Sequence, residues 1–370
     1  MTRFNSSLLL LSFILLVPLP SVQACTYVRL VGADGSSHPS RTMEWGVFEF
    51  NHLAFTATPR GVEMKSMPMP DGKAGASWTT KYALGGITII RDSAYADVMN
   101  ERGLAINLLY LPDFAKYQTY DPDQANISMS PTDLMAYLAS QFATVAEVKT
   151  GLKKIRVVPV VEPALGIPAP VHYAITDASG AEIVVEYLDG KLNIYETTIG
   201  VMTNSPGYDW HLTNLRNYVN LRQTDVPPIK VNDLKLTQIG VGSGLIGLPG
   251  DYTPPSRFVR AAAWREMARK TQGGFDTTRE VFRILDNFNL PIEGAGDHVP
   301  KGFEPVKYGS TQYTMSFDIK NLMIYYHTDD NRTVRSIDMK KVNWDDLKGV
   351  QSMPLRTKDI PPVREVTPKF

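Results

Sequence analysis

The sequence predicts an α+β fold with largely antiparallel sheets, which fits a four-layer αββα sandwich. Strand-like segments follow one another through tight turns around Ala178–Gly180 and Asp189–Gly190, and strands return after Thr311. The helical segments in the second half of the chain lie together between these two strand regions, rather than alternating singly with strands. Grouped helices and successive hairpins are typical of antiparallel sheets covered by helical layers, not of a doubly wound parallel sheet.

The N-terminal part of the predicted domain begins with a hairpin. Residues Tyr27–Leu30 favour a strand, a turn rich in Gly, Ser and Pro spans Gly32–Ser40, and Arg41–Trp45 follows as the returning strand. Further along, the apolar segment Ala105–Leu109 predicts a buried strand. That strand delivers Tyr110 at its far end.

The remaining elements follow from capping signals and periodicity. Ser130 as N-cap, Pro131 in the first turn and Asp133 predict the start of a helix that runs towards Phe142. The other predicted segments are helices over Val145–Lys153, Tyr208–Val219, Arg257–Lys270 and Thr277–Asn287, and strands over Val171–Asp177, Glu182–Tyr187, Lys191–Glu196, Thr311–Asp318, Leu322–His327 and Thr333–Asp338.

The first 24 residues have the pattern of a signal peptide. Arg3 gives a positive start, Leu8–Leu16 is almost wholly apolar, and Val22-Gln23-Ala24 places small or modest side chains where a signal peptidase reads. Cleavage after Ala24 leaves Cys25 as the first residue. We therefore expect a signal peptide over 1–24, one domain over 25–370, and a protein that is periplasmic or secreted.

Composition argues against several kinds of partner. The chain has 38 Lys and Arg against 38 Asp and Glu, and removal of residues 1–24 takes away one arginine and no acid. A nucleic-acid partner is not indicated, because no basic stripe is present. After the leader, no window reaches the roughly 18 apolar residues of a membrane span. No linker, charge block or repeat divides the rest of the chain.

Cysteine is the most informative residue type, because exported chains of this size often carry disulfides and this chain has a single Cys. As the first residue, Cys25 would combine a thiol nucleophile with an α-amine, whose ordinary pKa of about 7.7–8.0 suits a general base. Two other interpretations stay open. In the first, Cys25 is a lipid attachment site, although Gln23 is an unusual residue before such a site. In the second, Cys25 is a buried and inert thiol.

The histidines predict no metal site. All six are scattered, at positions 38, 52, 172, 211, 298 and 327, and the chain has neither an HExxH motif nor paired Cys/His spacing. We expect no metal and no other cofactor, and a histidine-assisted cysteine centre is not indicated.

Five motifs are spread over essentially the whole mature chain. They are Cys25 after a signal peptide, Ser40-Arg-Thr-Met-Glu-Trp45, Asn100-Glu-Arg-Gly-Leu104, Gly200-Val-Met-Thr-Asn204-Ser-Pro-Gly-Tyr208 and Leu248-Pro-Gly-Asp-Tyr-Thr-Pro-Pro-Ser-Arg257-Phe258. In order and spacing, these motifs together resemble the choloylglycine hydrolase family, which includes penicillin V acylases and bile salt hydrolases.

The resemblance implies an N-terminal-nucleophile fold in which Cys25 attacks an amide carbonyl, forms a thioester and is freed by water. Arg41 is then expected beside the thiol, and Glu44 is expected to hold the α-amine by a charge-assisted hydrogen bond. The family usually has Asp where this chain has Glu44, and the added methylene changes where the carboxylate lies. Without the resemblance, Arg41 and Glu44 read as an ordinary ion pair on a hairpin.

The resemblance also implies roles for residues far along the chain. Asn204 is expected to donate to the developing oxyanion, Tyr110 occupies the second oxyanion position, and Arg257 is expected near the nucleophile. Each residue also has a structural interpretation without a catalytic role. Asn204 would form a turn before Pro-Gly, Tyr110 would pack in the core, and Arg257 would be a solvated residue at the start of a helix. Trp45 is a candidate for an apolar acyl pocket, together with aromatics around Trp78 and Tyr110, or else part of the core.

The function expected from these observations is hydrolysis of a linear, non-peptide amide in a small acylated molecule. Penicillin V acylases resemble this chain in having Tyr at the position of Tyr110, where bile salt hydrolases typically have Asn, so aryl-acyl amides are favoured. A bile salt hydrolase and an N-acyl homoserine lactone acylase are alternatives with the same mechanism. A lipid-anchored, non-catalytic binding protein is an alternative of another class. By resemblance alone, we expect a homotetramer.

Overall fold

The structure is a computed structural model that describes residues 23–46, 52–292, 294–296 and 308–357. The predicted signal peptide lies outside these residues except for its last two positions. The final stretch of the predicted domain, 358–370, also lies outside them.

Strands dominate the described part of the chain. In chain order the strands are β1 (Gln23–Val31), β2 (Ser37–Trp45), β3 (Ala54–Thr58), β4 (Glu63–Lys65), β5 (Ser77–Thr79), β6 (Leu84–Thr88), β7 (Tyr95–Asn100), β8 (Ala105–Tyr110), β9 (Ser128–Met129), β10 (Arg156–Val157), β11 (Val161–Glu162), β12 (Ile167–Pro168), β13 (Val171–Thr176), β14 (Glu182–Leu188), β15 (Lys191–Tyr195), β16 (Val201–Met202), β17 (Ile229–Val231), β18 (Leu234–Leu236), β19 (Ala295–Gly296), β20 (Tyr308–Asp318), β21 (Met323–Thr328), β22 (Arg335–Asp338) and β23 (Gln351–Pro354). The α-helices are α1 (Leu134–Gln141), α2 (Val145–Leu152), α3 (Tyr208–Asn214), α4 (Pro254–Glu266) and α5 (Gly274–Leu285).

Two antiparallel sheets form the centre of the fold. Within the described residues, the first sheet runs β16-β1-β2-β20-β21-β22, with β19 paired to β20, and the second runs β15-β14-β13-β8-β7-β6-β3-β23. Strands β1 and β2 contact β8 across the space between the sheets. Helices α4 and α5 pack on the first sheet, and α1 packs on β7 and β8 of the second. The predicted α+β fold with four αββα layers is confirmed.

The sequence accounts for burial on both sides of each sheet. Every residue of β2 is buried, because this strand lies between a helical layer and the second sheet. Helix α5 buries Val281, Phe282 and Leu285 against the first sheet. Each such side chain stabilises the fold by roughly 1.5–3 kcal/mol relative to solvent exposure. Polar side chains on β2 therefore lie in a closed interior where chemistry is shielded from water.

The hairpin of β1 and β2 positions the predicted nucleophile. Its register places Cys25 opposite Met43 and Ala24 opposite Glu44. The pairing of β2 with β20 shifts register between Met43 and Glu44. Such a bulge changes the direction in which the following side chain points. The bulge thus lies directly beside the predicted site.

Several sequence predictions need correction. Helix α1 begins at Leu134, with Asp133 rather than Ser130 as N-cap. The carboxylate of Asp133 does not cap the helix, because it accepts hydrogen bonds from Arg91, from the Ser66 hydroxyl and from a backbone N–H. The other predicted helices and strands lie within a few residues of the observed ones.

The second sheet contains strands that the sequence did not predict. Strands β3, β6 and β7 all lie in the second sheet, and β4 and β5 form a small separate hairpin between β3 and β6. None of the helices described between residues 23 and 357 combines the length and apolar character needed to cross a membrane.

Candidate active site

The thiol of Cys25 lies between the two sheets and is 2% exposed. Arg41 Nη2 lies 2.7 Å from Cys25 Sγ, and the thioether of Met43 lies 4.0 Å from the same sulfur. The backbone N–H of Tyr110 also donates to the thiol. A cationic donor and a backbone donor therefore converge on one sulfur atom.

Two opposing effects act on the ionisation of Cys25. Burial raises the pKa of the thiol above its ordinary value, and the positive charge of Arg41 opposes this effect. Glu44 raises the pKa further, whereas Arg257 lowers it. Since burial outweighs the neighbouring cations, the thiol is protonated at rest and needs a base before it can act as a nucleophile.

Arg41 is buried and joins the nucleophile to a second ionised group. Its Nε donates to the carbonyl oxygen of Thr42 at 3.1 Å, and its Nη1 lies 3.5 Å from Asp97 Oδ2. Burial lowers the pKa of Arg41, but the charges of Cys25 and Asp97 outweigh that effect and raise it above its ordinary value. The guanidinium is therefore a permanent positive charge beside the sulfur.

Arg257 lies in the first turn of α4, which begins at Pro254 after the Pro-rich loop. Its Nη1 donates to the carbonyl oxygen of Cys25 and to the Thr26 hydroxyl, and its Nη2 donates to Asn204 Oδ1 at 2.7 Å. Burial lowers the pKa of Arg257 to about 10, with Glu44 opposing the shift. Arg257 is therefore still charged at neutral pH, but it contacts the frame around Cys25 rather than the sulfur.

Asn204 connects three parts of the site. Its Oδ1 accepts the Cys25 N–H at 2.9 Å as well as the Arg257 contact, and its Nδ2 donates to the carbonyl oxygen of Tyr110 at 2.7 Å. An amide nitrogen carries two hydrogens, so Nδ2 can make one more hydrogen bond. The side chain is 1% exposed and is fixed in orientation by these contacts.

Glu44 lies on the other side of β2 from the thiol. Its Oε1 accepts the Thr311 hydroxyl at 2.9 Å, and its buried Oε2 has no hydrogen-bond partner among the described residues. Burial raises the pKa of Glu44 to about 7, against the charge of Arg257. The nearby Thr42 hydroxyl lowers that pKa, although Thr42 Oγ1 has no hydrogen-bond partner among the described residues. A buried carboxylate oxygen without a donor is an acceptor that the site leaves unused.

An apolar cavity opens onto Cys25. Trp45 and Tyr110 meet on its wall in an edge-to-face contact, with ring centroids 6.0 Å apart. The remaining lining residues are almost all apolar, namely Met43, Ile89, Ile90, Ala94, Tyr95, Leu108, Leu165, Ala169 and Val171, with Arg41 and Thr132. The expectation that Trp78 lines the pocket is wrong, because its indole packs in the second core and donates to Ser140.

The backbone beside Asn204 is held by two buried histidines. His172 Nε2 contacts the carbonyl oxygen of Thr203 at 2.9 Å, and His211 Nε2 contacts that of Asn204 at 2.9 Å. Burial lowers the pKa of His211 to about 4, so this ring is neutral at working pH. These histidines were not predicted as site residues, because scattered single histidines give no sequence signal.

The structure brings all seven predicted site residues together from three strands, one loop and one helix. Arg41 lies beside the thiol as expected, whereas Arg257 reaches the Cys25 carbonyl. Glu44 is next to the site, but its predicted partner does not exist in this chain, because Ala24 is still joined to Cys25 and no α-amine is present. Sequence reasoning missed Asp97, whose carboxylate contacts Arg41, and Tyr313, whose hydroxyl donates to Asp97. The catalytic roles themselves stay predictions.

The layered fold, with a cysteine near the start of β1, is that of the N-terminal-nucleophile hydrolases. A model of the family described as linear amide C–N hydrolases, choloylglycine hydrolase family, matches residues 25–352. The chain belongs to the choloylglycine hydrolase family and is accordingly a hydrolase of linear amide C–N bonds.

Individual relatives agree with this assignment. A bile salt hydrolase/transferase of Clostridium perfringens is 39% identical over 273 residues, which cover 72% of this chain and 80% of the relative. The crystal structure of a mutant conjugated bile acid hydrolase from the same species matches with a TM-score of 0.77 and 32% identity, covering 93% of this chain and all of that one. A penicillin V acylase from Agrobacterium tumefaciens matches with a TM-score of 0.66 and 26% identity, covering 89% and 90% of the two chains.

Proposed function

We propose that this protein hydrolyses a small amide whose acyl group is apolar and aromatic, as in penicillin V. The observation that carries the proposal is the apolar cavity at Cys25, with Trp45 and Tyr110 edge to face on its wall. An aryl ring gains from such a wall through both burial and edge-to-face contacts. The amine side of the substrate would then point away from the cavity.

The proposed reaction uses Cys25 as both nucleophile and base. Once the chain is cut before Cys25, its α-amine takes the thiol proton, and the thiolate attacks the amide carbonyl carbon. The oxyanion is stabilised by the free hydrogen of Asn204 Nδ2 and by the Tyr110 N–H. The amine returns the proton to the departing nitrogen, leaving a thioester that water hydrolyses to the acid and free Cys25. The unused Glu44 Oε2 supports this scheme, because it offers the new ammonium group an acceptor.

A bile salt is the second candidate substrate, because the 39% identical relative is a bile salt hydrolase/transferase. The two candidates, and the acyl-homoserine lactone alternative, are separated by assaying the mature enzyme on a phenoxyacetyl amide, glycocholate and an acyl-homoserine lactone. The proposal expects the highest kcat/KM on the phenoxyacetyl amide. A clear preference for glycocholate would replace it with the bile salt assignment, and activity on none would refute both.

We propose that export removes residues 1–24 and thereby activates the enzyme. In the uncut chain, Gln23 and Ala24 extend β1 along Trp45 and Glu44, and Ala24 is buried. Retention of Ala24 thus removes the base and also fills space beside the site. The proposal expects a mature mass that begins at Cys25, in the periplasm or the medium. A diacylglyceryl mass would instead identify the lipid-anchored alternative.

A variant that keeps Ala24 tests activation directly. We expect it to show no turnover above that of Cys25→Ala, with N-terminal sequencing to prove that Ala24 remains. Turnover equal to that of the mature form would show that the α-amine is not the base.

We propose a homotetramer, with an exposed apolar ribbon as one contact between copies. In the hairpin of β17 and β18, Ile229 pairs with Leu236 and Val231 pairs with Leu234. These four side chains share one face because alternate strand residues do, and each is at least 44% exposed. An exposed apolar face of this kind marks an interaction site. Light scattering should give four copies for the wild type and fewer for Leu234→Lys, and a wild-type monomer would refute the proposal.

A further inference from the structure

Asp97 is a fully buried acid that the reaction proposed above does not use. It lies on β7 of the second sheet and has no solvent exposure. Its Oδ2 accepts the Tyr313 hydroxyl at 2.6 Å, and its Oδ1 accepts from Asn107 Nδ2 at 2.7 Å. Burying an ionisable carboxyl group costs free energy unless other groups compensate for the lost hydration. A buried acid at this position therefore indicates a functional role.

The contacts of Asp97 lead directly to the nucleophile. Arg41 Nη1 lies 3.5 Å from Asp97 Oδ2, while Nη2 of the same guanidinium lies 2.7 Å from Cys25 Sγ. Because the guanidinium is planar and rigid, fixing Nη1 also fixes the direction of Nη2. A continuous chain of polar contacts therefore runs from Tyr313 and Asp97 through Arg41 to the sulfur.

We propose that Asp97 is a positioning residue for the nucleophile, which holds Arg41 against Cys25 and reduces the positive charge that the sulfur experiences. Arg41 fixed without a counter-charge would favour the thiolate at rest, before the α-amine takes the proton. With Asp97 in place, the thiol keeps its proton until the base takes it. The inference rests on the proposed role of Cys25 as nucleophile.

The other groups that face Cys25 do not duplicate this effect. Glu44 and Arg41 come from β2, Arg257 from α4, the Tyr110 N–H from β8, and Tyr313 from β20. Glu44 lies on the opposite side of β2, and it has no ion pair with Arg41 within 4.0 Å among the described contacts.

Donors surround both oxygens of Asp97. Burial raises the pKa of Asp97, and the charge of Arg41 together with donors from Tyr313 and Asn107 opposes that shift. Asp97 is therefore the carboxylate in direct contact with the arginine that touches the sulfur.

The test measures the reactivity of the thiol rather than turnover. Mature wild type and Asp97→Asn are alkylated with iodoacetamide between pH 5 and 10, and Cys25 modification is followed by intact mass. Removal of the charge should move the alkylation profile to lower pH and speed alkylation at pH 7 by about threefold or more, because Arg41 then acts on the thiolate without opposition. An unchanged profile in folded Asp97→Asn would overturn the proposal.

Two further variants keep the test decisive. Tyr313→Phe removes a hydrogen bond that lowers the pKa of Asp97, so Asp97 loses part of its charge and a smaller shift in the same direction is expected. If Asp97→Asn does not fold, an unshifted profile for Tyr313→Phe would refute the proposal by itself. Asp318→Asn is the matched control, because Asp318 is equally buried but bonds to Asn321. A shift in this control equal to that of Asp97→Asn would also overturn the proposal.

Alkylation separates this proposal from the proposed function. If the mature wild type hydrolyses none of the three substrates, the proposed function fails, while the alkylation profiles still decide whether Asp97 acts on Cys25. If turnover is found but Asp97→Asn leaves the profile unchanged, only the role of Asp97 fails.

Discussion

The two buried arginines on either side of Cys25 differ in what they contact and in how their charge is balanced. Arg41 reaches the sulfur and is backed by the carboxylate of Asp97, whereas Arg257 reaches the backbone of Cys25 and the side chain of Asn204. The pKa of Arg41 is raised, and that of Arg257 is lowered to about 10. Under the proposed mechanism, the Arg41 side would adjust the reactivity of Cys25, and the Arg257 side would hold the groups that receive the oxyanion.

The largest effect is expected on the Arg257 side, from Asn204→Ala. An oxyanion donor acts most strongly once the carbonyl oxygen gains charge, so kcat should fall by about 10²-fold or more, with a much smaller rise in KM. Steady-state kinetics on the preferred substrate provide the measurement. Asn214→Ala, at the end of α3, is the control and should behave as wild type. A folded Asn204→Ala variant with normal kcat would reduce Asn204 to a turn-forming residue.

Arg257→Gln and Arg41→Gln should separate the two sides. We expect Arg257→Gln to lower kcat by roughly tenfold or more, because Asn204 loses a charged partner, while the alkylation profile of Cys25 changes less than in Arg41→Gln. Arg41→Gln should slow alkylation at pH 7 by about tenfold, because loss of the nearest cation raises the pKa of the thiol. Equal effects of Arg257→Gln and Arg41→Gln on kcat and on the alkylation profile would contradict the proposed difference between the two arginines.

Arg41→Gln also leaves a buried carboxylate without its counter-charge. Breaking such a pair typically costs about 3–5 kcal/mol, so the melting temperature should fall. The double variant Arg41→Gln with Asp97→Asn removes both charges and should recover part of that stability without restoring thiol reactivity. Thermal unfolding and alkylation of the same samples check both outcomes.

Glu44→Gln should change the pH dependence of the mature enzyme more than its maximal rate. If the carboxylate holds the α-amine, its loss lowers the pKa of that amine, and the pH–rate profile moves towards lower pH. Glu44→Ala should lower activity further than Glu44→Gln, because it also leaves a cavity. Wild-type rates with an unshifted profile in both variants, measured with Cys25 confirmed as first residue, would exclude the role.

A last effect, on stability rather than activity, concerns an uncut chain that retains Gln23 and Ala24. The pKa of Glu44 there is raised from 4.5 to about 7, so its protonated form is favoured by folding. Stability from this group is complete below pH 4.5 and is lost as pH rises through 7, by up to on the order of 3 kcal/mol. Urea unfolding at pH 4.5, 6 and 8 should show this fall, and Glu44→Gln should flatten it. A flat wild-type curve would contradict the raised pKa.

The fold class was predictable because it depends on local patterns, and the periodic segments predicted the layers. Most site residues were predictable only because the motifs around Cys25, Asn204 and Arg257 resemble those of a known family. Asp97 was not predictable, because a polar residue within a strand normally indicates a solvent-facing position, whereas every residue of β7 is buried. Likewise, no sequence signal indicates the bulge after Met43, since it arises from pairing with a strand more than 260 residues away.

The burial of Cys25 also determines which reagents can reach the protein's one thiol. The cavity that opens onto Cys25 is lined by Trp45 and Tyr110, and its walls are almost entirely apolar. A charged disulfide or peroxide anion would have to shed its hydration shell to enter, whereas a neutral aromatic electrophile is favoured by the same walls. The cavity therefore acts as a filter, which protects the thiol from hydrophilic oxidants and leaves it open to selective labelling by small, uncharged aryl reagents.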